Sequence, residues 1–209
     1  MKLYDYFRST TCYRVRIALN LKDVTYEKLS IHLINNGGEQ HSQNYLQINP
    51  QGLVPCLEVD GHTISQSLAI IDYLDETIPE PALLPIAPLD KATVRSLALI
   101  VACDMHPLNN LRVLNHLKEA FQPSETQIIE WYHHWLKAGF DAFEAKLRAI
   151  QRTKPFCFGD CISLADLCLI PQVYNAQRYH FAMDAYPIIN EINTHCLTLA
   201  AFKDAAPDA

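Results

Sequence analysis

Four prolines at 79, 81, 85 and 88 separate two stretches of this chain that differ in hydrophobic period. That change of period restricts the fold more than any other feature. A proline cluster without periodicity reads as a linker. Before it, strand and helix patterns alternate. Lys2 to Phe7 reads as a strand, with Leu3, Tyr4, Tyr6 and Phe7 as its apolar and aromatic members. Val15, Ala18 and Leu19 lie near helical spacing, with Val24 past the helix end, and Thr25 to Ile31 reads as a second strand. Leu53 to Val59 and His62 to Ile64 flank Asp60-Gly61, a hairpin signal. Ser67 to Glu76 reads as a helix with Leu68, Ile71 and Leu74 on one side. The order is β-α-β, a linking stretch with a short helix, then β-β-α, which by pattern alone means α/β.

Beyond the prolines, strand signals vanish. Asp90 to Leu117 is helical in pattern, interrupted by Pro107, which predicts a kink. Ser124-Glu125-Thr126-Gln127 is a capping box that opens another helix, with Ile128, Tyr132, Trp135, Phe143 and Leu147 along its stripe. Ser163-Leu164-Ala165-Asp166 is a variant box, stapled by Ile162 and Leu167. Each Ser cap stabilises its helix by about 1 kcal/mol. The sequence therefore predicts an α/β domain over residues 1–80, a linker over 81–88 and an all-helical domain over 89–209.

Composition narrows the class of function. With 49% hydrophobic and 19% charged residues among 209, the chain can bury a sizeable core. A net charge of −6 argues against nucleic acid as a partner, while leaving room for a local cationic pocket. The cysteines, at 12, 56, 103, 157, 161, 168 and 196, are odd in number and include no CxxC pair. Neither a disulfide framework nor a metal site is expected. Scattered thiols, no apolar signal region after Met1-Lys2 and no membrane-length apolar run predict a cytoplasmic protein.

Chemistry concentrates where the first strand meets the first helix, in Phe7-Arg8-Ser9-Thr10-Thr11-Cys12-Tyr13-Arg14-Val15. A helix N-terminus offers unpaired N–H groups and partial positive charge, and so favours anions such as a thiolate. The hydroxyls of Ser9, Thr10 and Thr11 read either as plain helix caps or as donors that stabilise a bound thiolate. Each unit of thiol pKa depression needs ~1.4 kcal/mol of such preference. Asn49-Pro50-Gln51-Gly52-Leu53-Val54-Pro55 precedes a strand, and Gln66-Ser67 opens a helix. A cis Val54-Pro55 bond would turn the Val54 backbone toward an extended peptide, and Gln66-Ser67 would take a carboxylate. Read singly, these are a loop proline and a cap. Together with the Ser9 turn they describe a groove for a short anionic peptide carrying a thiol.

These motifs resemble the zeta class of glutathione transferases. The resemblance extends through Ile64 to Ile71, Cys103-Asp104-Met105-His106-Pro107-Leu108-Asn109-Asn110-Leu111-Arg112 and Ala165 to Gln172, and so covers essentially the whole chain. It implies a thioredoxin-like N-terminal domain followed by an all-α C-terminal domain, glutathione as cofactor and a homodimer. By position it implies that Ser9 lies nearest the glutathione sulfur, with Thr10, Thr11, Cys12, Tyr13 and Arg14 along the same turn. Gln40 and Val54 would contact the tripeptide backbone, Gln66 and Ser67 the γ-glutamyl carboxylate. His106, Asn110, Leu111 and Arg112 would close the pocket from the helical domain. Some members have Ser-Ser-Cys where this chain has Ser9-Thr10-Thr11, so Cys12 is expected to be a packed small residue.

The resemblance further implies isomerisation of a small dicarboxylate: maleylacetoacetate, or alternatively maleylpyruvate. A dianion needs cations, and Arg8 and Arg178 are the expected carboxylate grips because the guanidinium fork binds bidentately. His106 reads either as a pocket residue or as a support for the kink at Pro107. On an ideal helix His106 and Asn110 share a face while Arg112 lies nearly opposite, so a pocket role for Arg112 requires distortion near Pro107. A general conjugating or peroxidase enzyme, and a glutathione-transferase-like binding protein without turnover, are the remaining readings.

Overall fold

A computed structural model describes residues 1–150 and 152–207. The residues form two compact units, one comprising Met1–Ala82 with Leu199–Ala209, the other Leu83–Thr198.

In the first unit the order is β1 (Lys2–Asp5), α1 (Thr10–Leu21), β2 (Glu27–Ser30), α2 (Gln43–Ile48), β3 (Cys56–Val59), β4 (His62–Ser65) and α3 (Ser67–Thr77). The sheet runs β2-β1-β3-β4. β1 pairs parallel with β2, Lys2 opposite Glu27, and antiparallel with β3, Leu3 opposite Leu57. The parallel pair needs a crossover, which α1 supplies. The β3–β4 hairpin turns at Asp60 (φ 50) and Gly61 (φ 79), the pair of positive φ angles that the Asp-Gly signal predicts. Helix α1 ends at Leu21, so Val24 does lie past its end.

Helix α1 is buried despite its two arginines: every residue from Cys12 to Leu19 is buried. The sheet, α3 and the chain end surround it. Arg16 Nη1 pairs with Asp5 Oδ1 at 2.6 Å, and Arg16 Nε donates to the Ala205 carbonyl at 2.8 Å. Tyr13 Oη donates to Phe202 O at 3.0 Å and Asn20 Nδ2 to Ala201 O at 3.1 Å. These side chains follow one stripe of α1 and satisfy carbonyls of the last segment, which contains α9 (Ala200–Lys203). The described residues from 199 onward, assigned to the helical domain from pattern alone, accordingly group with the first unit. Lys22 Nζ ties the end of α3 by reaching Asp75 Oδ1 (2.6 Å), Ile78 O (2.7 Å) and Pro81 O (2.8 Å).

The second unit holds α4 (Pro88–Leu99), α5 (Leu111–Phe121), α6 (Glu125–Ala149), α7 (Leu164–Arg178) and α8 (Pro187–Cys196). Where a Pro107 kink is expected, the helix instead widens to a π-helical stretch over Ile100–Met105, unwinds through a turn and restarts at Leu111. Pro107 has no N–H to continue the ladder. Asn110 then caps α5, its Oδ1 accepting the Arg112 N–H at 3.1 Å. Both bonds of the Ser124 capping box form, at 3.2 and 2.8 Å. In the variant box, buried Asp166 accepts from Ser163 N and Ser163 Oγ and also from Cys157 N, each at 2.8 Å. Gly139 of α6 lies against Met105, and a Cβ there would overlap the methionine side chain. No helix among the described residues is long and apolar enough to cross a membrane.

Candidate active site

Ser9 is the N-cap of α1: its Oγ accepts the Cys12 N–H at 3.3 Å and its carbonyl accepts Tyr13 N at 2.9 Å. Ser9 Oγ also lies 2.8 Å from Thr11 Oγ1, and Thr11 Oγ1 donates to the Val54 carbonyl at 3.1 Å. A hydroxyl has one proton. Since Thr11 directs its proton at Val54, the Ser9 proton bridges to Thr11. The three groups thus form a relay from Ser9 through Thr11 to Val54, at the positive end of α1. The capping reading and the chemical reading of Ser9 coexist, because a hydroxyl accepts through its lone pairs while donating its proton elsewhere.

The Val54 end of this relay is held from behind. Val54–Pro55 is cis, as expected from the motif. Asn49, 3% exposed, donates through Nδ2 to Leu53 O at 2.7 Å, and Tyr45 Oη donates to the same carbonyl at 2.7 Å. Asn49 Oδ1 accepts Gln51 N at 3.2 Å. Gly52 adopts φ +60, and a Cβ there would approach the Gln40 carbonyl to 3.2 Å. Glycine is therefore required for this loop to lie on the Gln40 turn. The Gln40 side chain itself is buried and folds back, its Nε2 donating to Leu33 O at 3.4 Å.

Gln66 precedes α3 at φ 73, ψ 117, a backbone state that a non-glycine residue adopts only when its surroundings impose it. Its Nε2 donates to Gln51 Oε1 at 2.9 Å, which joins the loop before Pro55 to the start of α3. Ser67, the first residue of that helix, accepts Arg14 Nη1 at 3.4 Å. Arg14 is 1% exposed, so a guanidinium lies buried behind the helix N-terminus. Helix end and cation act in the same sense and favour an anion at Ser67.

Not every expected residue turns its side chain toward these groups. Tyr13 is buried with its hydroxyl on Phe202 O. Cys12 is fully buried among Tyr4, Tyr6, Tyr45, Val54 and Cys56, accepting Tyr6 N at 3.5 Å. Burial pushes its thiol pKa far above the ordinary range, which is the environment of a packing residue. Arg8 is exposed, its guanidinium carbon 5.1 Å from the Phe7 ring centroid.

In the helical unit, Asn110 Nδ2 lies 3.4 Å from His106 Nε2. They meet across the turn before α5, not along one helical face. Leu111 and Arg112 begin α5 and are exposed. Arg178 ends α7, and its Nη1 donates to Asn175 Oδ1 at 3.2 Å. The sequence motifs did not single out Tyr45 or Asn175 for any role; Tyr45 reaches Leu53 eight positions on, and Asn175 joins Arg178 to Tyr132, 43 positions back. Among the described residues no cluster of His, Cys, Asp or Glu has the arrangement of a metal site.

Comparison with known proteins agrees with this architecture. Residues 3–82 match the glutathione S-transferase N-terminal domain and residues 129–191 the C-terminal domain. A maleylacetoacetate isomerase of Pseudomonas aeruginosa is 46% identical over 99% of this chain and 96% of its own. A maleylpyruvate isomerase of a Ralstonia species is 45% identical over 100% and 98%. Among solved structures, a glutathione S-transferase of Legionella pneumophila is 63% identical with a TM-score of 0.89, each chain covered in full. The holo structure of a zeta-class maleylpyruvate isomerase superposes with a TM-score of 0.96 at 44% identity, covering 99% and 97%. A maleylacetoacetate isomerase from Methylobacterium extorquens, solved with malonate and glutathione, has a TM-score of 0.94 at 41% identity, covering 99% and 96%. Sequence identity across nearly its whole length, together with both matched domains, establishes that this chain belongs to the zeta class of the glutathione S-transferase family.

Proposed function

We propose that the protein is a glutathione-dependent cis–trans isomerase that converts maleylacetoacetate to fumarylacetoacetate. The observation that carries this reading is the Ser9–Thr11–Val54 relay at the N-terminus of α1. It places a hydroxyl donor beside a backbone suited to pair with an extended tripeptide. Ser9 would turn its proton from Thr11 to the glutathione sulfur and favour the thiolate. Ser67, the start of α3 and the Arg14 charge behind it suit the γ-glutamyl carboxylate.

Thiolate addition to one alkene carbon forms a C–S bond and moves the π electrons onto the conjugated carbonyl as an enolate. The former double bond is then single and rotates. Collapse of the enolate restores the alkene in trans form and expels the thiolate, so glutathione is regenerated. Covalent addition thereby replaces a difficult rotation with an easy one. Arg8 and Arg178 would hold carboxylates and stabilise the enolate charge. A neutral donor at Ser9 suits a step in which negative charge leaves sulfur and returns. His106, Asn110 and Arg112 are assigned to the same chemistry by family position, and the homodimer rests on the same ground, whereas the cytoplasmic location rests on the scattered thiols.

A second reading keeps the chemistry and exchanges the substrate for maleylpyruvate. It is favoured by the similarity to the zeta-class maleylpyruvate isomerase structure. Turnover of both substrates with saturating glutathione separates the two. A higher kcat/KM for maleylacetoacetate is expected, and a clear preference for maleylpyruvate would overturn the first choice.

A further inference from the structure

We propose that Asn175 and Tyr132 are positioning residues that hold the Arg178 guanidinium for a substrate carboxylate and so set the preference for a dianion. The inference deepens the proposed function and rests on Arg178 being a carboxylate grip.

An exposed arginine at the end of a helix is ordinarily free to sample many rotamers. Arg178 is not. Its Nη1 donates to Asn175 Oδ1 at 3.2 Å, and its guanidinium carbon lies 5.9 Å from the Tyr174 ring centroid and 5.8 Å from that of Tyr179. Asn175 is itself fixed. It is 8% exposed, and its Nδ2 donates to the hydroxyl of Tyr132 on α6. The Tyr132 ring, 1% exposed, stacks on Tyr179 at 3.7 Å and 14°. Asn109 Nδ2 holds the Tyr132 carbonyl at 3.1 Å. The next residue, His133, lies 2.7 Å through Nε2 from the Tyr179 carbonyl, which can only accept, so Nε2 bears the proton. Residues on both sides of Arg178 are thus clamped by consecutive residues of α6.

The chemistry of the clamp matters as much as its rigidity. An amide at 175 accepts one guanidinium N–H yet carries no charge. Of the five N–H donors of arginine, one is used inward and the others keep the fork needed for a carboxylate. Burial raises the Tyr132 hydroxyl above the ordinary tyrosine range, so this support stays neutral as well. No ion pair neutralises Arg178 among the described residues.

Two variants of the full-length protein test the proposal in the maleylacetoacetate assay. Asn175→Asp keeps the size and puts a charge that pairs with Arg178 internally. Tyr132→Phe keeps the stack and removes the acceptor of the Asn175 amide. We expect Asn175→Asp to raise the KM for maleylacetoacetate at least about tenfold, and Tyr132→Phe about three- to tenfold, the range of one hydrogen bond between neutral groups. In both, the KM for glutathione should stay within about twofold, since uniform damage to the fold would move both constants. Arg178→Ala is measured alongside. If it raises the substrate KM about tenfold while both other variants stay within about twofold, Asn175 and Tyr132 do not position it. Equal losses in both KM values would likewise reduce them to structural residues. An unchanged substrate KM in Arg178→Ala would instead refute the role of Arg178 itself.

Discussion

Replacing Ser9 by alanine separates its structural task from its chemical one, because the structure assigns the hydroxyl two distinct bonds. As N-cap it accepts Cys12 N at 3.3 Å, and the loss of such a cap costs about 1 kcal/mol. Ser9 is only half-buried, so water can approach Cys12 N and hold the cost near that figure. For a chain of this size that corresponds to a fall in Tm of about 2–4 °C. The second bond, at 2.8 Å to Thr11, marks the proton available to a thiolate. A hydrogen bond to a charged group contributes about 1.5–3 kcal/mol, so the thiol pKa of bound glutathione should rise by about 1–2 units. Turnover near neutral pH should then fall about 10- to 100-fold. Glutathione affinity should change little, because Val54, Ser67 and the α3 N-terminus are untouched. The assay is a pH titration of bound thiolate by ultraviolet absorbance, with steady-state kinetics and a thermal melt on the same sample. Thiol pKa and kcat both unchanged in Ser9→Ala would refute the reasoning and move activation to Thr10, Thr11 or the helix end.

Other features of the structure make further predictions. Arg16→Met leaves Asp5, which is 0% exposed, with only Lys28 at 3.4 Å as an ion-pair partner among the described residues, so denaturant melts should show a loss of about 3–5 kcal/mol; a loss below about 1 kcal/mol would mean that the buried pair is dispensable. Gly139→Ala forces a Cβ into Met105 and should destabilise by about 1–3 kcal/mol, with Met105→Ala in the same chain recovering part of it. No recovery in the double variant would place the strain elsewhere. Iodoacetamide should alkylate exposed Cys161 in the native protein while Cys12 and Cys157 stay unmodified. The Asp160 carboxylate raises the Cys161 pKa, so its thiolate fraction and alkylation rate should climb as pH increases. Peptide mapping that finds Cys12 labelled first would contradict the packing described for it.

The patterns nearest to one another in the chain were the most legible. Asp60-Gly61 announced its hairpin, Ser124 and Gln127 their capping box, and the prolines the change from mixed α/β to helices. Pro107 was identified as a disruption, but its form was not, because a lost N–H tells where a helical ladder fails and not whether the chain kinks, widens or unwinds. In the site, the Ser9 turn, the loop before Pro55 and the Gln66-Ser67 step were each visible as local motifs. The charged residues of α1 were the least legible. The resemblance put Arg14 on the glutathione turn and gave Arg16 no role, and only the fold brings Ser67, Asp5 and the Ala205 carbonyl against them.

By itself the sequence determined the order of strands and helices, the caps and turns, and the family, since each depends on residues within a few positions or on identity read along the chain. Only the tertiary structure decided which side chains meet. Thr11 and Val54 are 43 positions apart, as are Tyr132 and Asn175, and no periodicity links either pair. Their hydrogen bonds form because a folded core leaves a polar group few partners and strongly penalises leaving it without one. That same constraint turned Ser9 from a helix cap into the end of a relay, and Arg178 from a surface cation into a held one.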